Sequence, residues 1–92
     1  MTQIEIEDLL IKTVVVVQRQ SGREEKPVTR DTQPFDDLQD FDSLNGVEVT
    51  VDVMEQLEID LTFNNVFVDD ERPLTIKQAA ERLMEQLKKV KK

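Results

Sequence analysis

The sequence predicts an all-α fold, a small bundle of three main helices with a short additional helix third in order. Three observations carry this. Apolar residues recur at spacings of three and four through three long segments. Two of those segments open on residues suited to capping a helix, Asp42-Ser43 and Thr75. No two strand-like runs with turn residues between them are available to build a sheet.

The first helix is expected over residues 2–20, with Ile6, Leu9, Leu10, Val14 and Val17 on one side. The run Val14-Val15-Val16-Val17 favours a strand on propensity, but it lacks a partner run, so helix is the expectation. Gly22 is a natural stop. Residues 22–42 then form a long first loop, broken by Pro27 and Pro34 and pinned by Val28, Phe35, Leu38 and Phe41.

The second helix, from Asp42 to about Glu58, has two apolar stripes when projected at roughly 100° per residue. Val49, Val53 and Leu57 make one, the spacing of a core-facing side. Leu44, Val47, Val51 and Met54 lie nearly opposite, among Glu48, Asp52, Glu55 and Glu58. One core needs one stripe. The second is therefore expected to stay exposed as a partner surface. Gly46, in the first turn, is costly in a helix and permits close approach of a partner or of another backbone.

Residues 59–72 are expected to hold the short third helix, starting after Thr62 and including Asn65 to Val68, and ended by Asp69-Asp70-Glu71 and Pro73. The last helix is the clearest. Thr75 and Gln78 fit a capping box, and Ile76, Ala79, Ala80, Leu83, Met84, Leu87 and Val90 recur at three and four. Lys88, Lys89, Lys91 and Lys92 form a basic tail over 88–92 that suits the negative C-terminal end of a helix.

Composition narrows the function. A chain of 92 residues is read as one domain over 1–92 with a small core. It has no Cys and no His, which removes disulfides, thiolate nucleophiles, imidazole bases and the usual zinc ligands. Asp36, Asp37, Asp40 and Asp42 miss the EF-hand spacing, because Gly46 at its sixth position puts Phe41 at its first. Paired carboxylates without a pocket or base make a solvated face, so no enzyme is expected. No apolar run approaches a membrane span, the start lacks the basic residues of a signal peptide, and the cytoplasm is the default location. The formal charge is −8, and no Lys or Arg lies between Asp31 and Glu71. Such a surface disfavours nucleic acid and attracts basic partners.

The segment Pro34-Phe35-Asp36-Asp37-Leu38-Gln39-Asp40-Phe41-Asp42-Ser43-Leu44, followed by Val47-Glu48-Val49, resembles the acyl carrier protein family. The likeness runs from about Phe35 to Leu87. It implies an acyl-carrier-like bundle in which Ser43, within Asp42-Ser43-Leu44, bears a 4′-phosphopantetheine arm carrying an acyl group as a thioester. Asp42 and Leu44 would orient the arm and the phosphopantetheinyl transferase. Val47, Glu48, Val51, Met54, Glu55 and Glu58 would form the docking strip for basic-rimmed enzymes of fatty-acid, lipid or polyketide synthesis. A helix N-terminus favours a phosphodiester, and either Asp42 or Ser43 is placed to cap it. The family usually has glycine where Asp40 stands, and Asp tolerates left-handed backbone. Asn45 replaces a commonly acidic residue, and Met54 makes the strip more apolar. Phe63, Val66, Phe67 and Val68 fit either core filling, the expected role, or the roof of an acyl cavity. A monomer is expected. The competing reading is a helical interaction module that keeps the fold and has no arm.

Overall fold

The computed structural model describes residues 2–22, 26–38 and 40–90. Of the residues named above, Gln39, Lys91, Lys92 and the side chain of Val90 lie outside that description. Among the described residues the elements are α1 (Gln3–Gln20), α2 (Pro34–Asp37), α3 (Ser43–Leu57), β1 (Val68–Asp69), β2 (Arg72–Pro73) and α4 (Ile76–Val90). The protein is mostly helical, with one very small antiparallel sheet.

Helix α1 packs against both α3 and α4. Thr2 caps it through a capping box with Glu5. Ile6, Leu10, Val14 and Val17 are buried and Leu9 half-buried, so packing overrides the strand propensity of the valine run. Gly22, at φ +71°, takes the left-handed position just beyond the helix. The buried Glu7 carboxylate accepts from Arg30 Nη2 at 3.1 Å and from Gln3 Nε2 at 3.0 Å, tying the long connection to α1.

That connection contains a helix the periodicity did not predict. Pro34 supplies the first position of α2, where its missing N–H costs nothing, and Asp36 and Asp37 lie in its first turn. Leu38 and Phe41 are buried, while Val28 and Phe35 pack against the core half-buried. Phe41 stands edge-on to Phe35 at 5.6 Å and to Phe67 at 5.8 Å. Asp40 adopts φ +54°, the left-handed turn that leads into α3.

The expected third helix is absent among the described residues of 59–72. Turns lead instead into the β1–β2 hairpin, with Val68 opposite Pro73 and Asp69 opposite Arg72. Its two loop residues, Asp70 and Glu71, both have positive φ, as a two-residue hairpin turn of the favoured twist requires. The reason is where the backbone groups go. Val66 N–H donates to Thr50 Oγ1 at 2.8 Å, and Phe67 N–H to Asn65 Oδ1 at 3.0 Å. The carbonyls of Asn65 and Val68 accept from Arg82 Nη1 at 2.9 and 2.6 Å. Side chains have taken the partners that a helix would pair internally.

Helix α4 opens as expected, with Thr75 and Gln78 exchanging hydrogen bonds of 3.0 and 3.1 Å. Its first N–H groups also find carbonyls in the long connection, Ile76 on Thr32 O and Lys77 on Arg30 O. Ile76, Ala79, Ala80 and Leu83 are buried, and Met84 and Leu87 pack against them half-buried.

Candidate functional site

The site is the first turn of α3 and the solvent side of that helix. Asp42 is the cap. Its carboxylate accepts from Asn45 N–H at 3.1 Å, and its own N–H donates to Asn45 Oδ1 at 3.2 Å. The reciprocal pair is a capping box with Asn in place of the usual Glu or Gln. Asn45 is buried, and its Nδ2 donates onward to Glu48 Oε1 at 3.1 Å. Both arms of the Asn45 amide therefore hold the turn closed.

This settles which of the two candidates caps the helix, and it leaves Ser43 at the first helical position with an exposed side chain. Among the described residues, nothing hydrogen-bonds to the Ser43 hydroxyl or to the N–H groups of Ser43 and Leu44. Leu44 beside it is 66 % exposed. An available hydroxyl thus lies at the positive end of a 15-residue helix, beside two unpaired N–H donors, where an attached anion is favoured.

Along the helix, Val49 and Val53 are fully buried and Val51 is 42 % exposed, so the helix is turned as its stripes predict. Three positions differ. Leu57 is half-buried rather than buried, as the last residue of α3. Val47 is half-buried because it shares a groove with Val17 and Gln20 at the end of α1. Met54 is half-buried because the chain folds back over it. Glu58 takes φ +55°, Ile59 N–H donates to Met54 O at 3.1 Å, and Ile59 and Asp60 line the groove beside Met54. Glu48, Glu55 and Glu58 are exposed. The outer face is therefore acidic, with Val51 and Leu44 as its exposed apolar contacts.

No family model, curated protein or solved structure matches this chain.

Two residues of the site were not singled out by periodicity. Asn65 packs its amide over Gly46 and donates from Nδ2 to Ser43 O at 3.3 Å. Thr50, fully buried, donates to Gly46 O at 2.7 Å while accepting from Val66 N–H. The usable signal was a hydroxyl sitting on the buried side of an apolar helix. The approach that Gly46 permits is made by the Asn65 side chain rather than by another backbone. From the far side, the Arg82 guanidinium lies 3.8 Å from the centre of the Phe63 ring. Burial lowers its pKa, against the Asp69 carboxylate, which raises it.

Among the described residues no three acidic side chains gather as a metal site, and no helix is long and apolar enough to cross a membrane.

Proposed function

We propose that this protein is an acyl carrier: Ser43 bears a 4′-phosphopantetheine arm, and the protein presents the attached acyl group to enzymes of fatty-acid, lipid or polyketide synthesis. The observation that carries the reading is Ser43 itself, exposed at the first position of α3 with a hydroxyl that takes no part in capping. A serine needed only as a cap would spend its oxygen on the backbone; here Asp42 and Asn45 do that work.

The residues present fit the arm. Its phosphate would accept from the Ser43 and Leu44 N–H groups, and Leu44 would flank its first atoms. The arm supplies a thiol, which a chain without Cys lacks. The protein does no bond chemistry of its own. Asp42 and Asn45 hold the attachment turn, and Leu44 and Val51 give apolar contact. Glu48, Glu55 and Glu58 attract the phosphopantetheinyl transferase and other basic-rimmed enzymes through a salt-sensitive field. Such a carrier works as a monomer, in successive weak encounters.

Incubation with coenzyme A and a broad-specificity phosphopantetheinyl transferase tests the reading by intact mass. One phosphopantetheine should be gained, and Ser43→Ala should abolish the gain. An unchanged mass with two different transferases would leave an unmodified interaction module.

A further inference from the structure

We infer that Asn65 is a positioning residue for Ser43, and that Gly46 is glycine in order to admit it. A Cβ built on residue 46 would overlap Cγ, Oδ1 and Nδ2 of Asn65, so the amide occupies the space that any other residue would fill. Each group on that amide is spoken for. Nδ2 donates to Ser43 O at 3.3 Å, and Oδ1 accepts from Phe67 N–H at 3.0 Å. The Asn65 carbonyl is held by Arg82 of α4. One helical turn further along, Thr50 bridges Gly46 O to Val66 N–H. The turn that bears Ser43 is thus clamped to the fully buried Val66 and Phe67, and through Arg82 to the opposite helix. The turn is thus fixed twice, by the Asp42–Asn45 capping box within the helix and by Asn65 from outside it.

The functional half of this inference rests on the carrier reading; the clamp itself does not. A serine held at one orientation reacts more often per encounter, while docking through Val51, Glu55 and Glu58 further along the helix is unchanged.

Two arms test the inference. In the first, thermal stability is measured for Gly46→Ala, Asn65→Ala and the double variant. Gly46→Ala should lower Tm in the native background, because the new methyl displaces Asn65. It should raise Tm in the Asn65→Ala background, where the clash is gone and alanine is the better helix former. A loss of the same size in both backgrounds would overturn the clamp. In the second, transfer kinetics from coenzyme A are measured for Asn65→Asp, which keeps the acceptor for Phe67 N–H and loses the donor to Ser43 O. The kcat should fall by about three- to tenfold, the worth of one hydrogen bond, with KM within about twofold. A loss confined to KM, or no loss, would overturn the positioning role. Wild-type protein that takes no arm under any transferase would overturn the carrier reading and with it this role, and the stability arm would still decide the clamp.

Discussion

Replacing Thr50 with valine keeps its shape and deletes its hydroxyl, and the structure fixes what that deletion costs. Gly46 O retains its place in the helix ladder, so losing the hydroxyl there matters little. Val66 N–H has no such reserve. It is fully buried and bonded to Thr50 Oγ1 at 2.8 Å. Left unpaired, it should cost about 1–3 kcal/mol, a large share of the stability of so small a domain. Thr13 provides the control. It is also buried, and its Oγ1 donates to Leu9 O at 2.8 Å and accepts from Gln56 Nε2 at 3.3 Å. Gln56 is exposed, so its amide can turn to water, and Thr13→Val should cost less than about 1 kcal/mol. Urea unfolding followed by far-UV circular dichroism suits a protein without Trp or Tyr. The midpoint should fall for Thr50→Val with an unchanged slope. Equal losses at the two sites, or a Thr50→Val protein as stable as wild type, would refute this account of residues 65–67.

Three further expectations use the same assay or a binding one. Val53→Ala should cost about 2 kcal/mol and exposed Val51→Ala less than about 0.5 kcal/mol; the reverse order would mean that α3 is turned the other way. The Glu5 carboxylate is held below its ordinary pKa by the hydrogen bond from Thr2 N–H and then by that from the Thr2 hydroxyl. Its stabilising contribution is therefore present above the ordinary carboxylate pKa and lost as pH falls through the lowered one, so Glu5→Gln should flatten the acid limb of a stability–pH profile. Glu48 is engaged with Asn45 in the capping turn, so the steering field is better tested by reversing Glu55 and Glu58 to Lys. In stopped-flow binding to the transferase, that double variant should associate more slowly and with a flatter salt dependence; identical salt slopes would make the acidic face a solubilising one only.

What the sequence disclosed depended on how far away the deciding partner lay. The Thr75–Gln78 capping box and the Gly22 stop are both set within a few residues, and both were legible. Val49 and Val53 were legible because one helical period separates residues on the same side. The α2 turn was missed although Pro34 and two following acids announce it, because four residues are too short for periodicity to register. The third helix was wrongly expected because the segment is apolar enough for one. Arg82, 14 and 17 residues along the chain, and Thr50, 16 residues back, claim its backbone groups, and no local pattern reports such distant partners. Val47 and Met54 were expected in the open for the same reason. The end of α1 and the reversal at Glu58 shield them, and neither follows from the spacing of α3.

We propose Ser43 as the attachment point of the arm. Peptide mapping of protein treated with coenzyme A and transferase tests it most directly, because it locates the modification as well as detecting it. A carrier should show a single phosphopantetheine on the peptide containing Ser43, full occupancy at long times, and none in Ser43→Ala protein of unchanged circular dichroism. An added group on another serine or threonine, or a folded wild-type protein that remains unmodified, would contradict it.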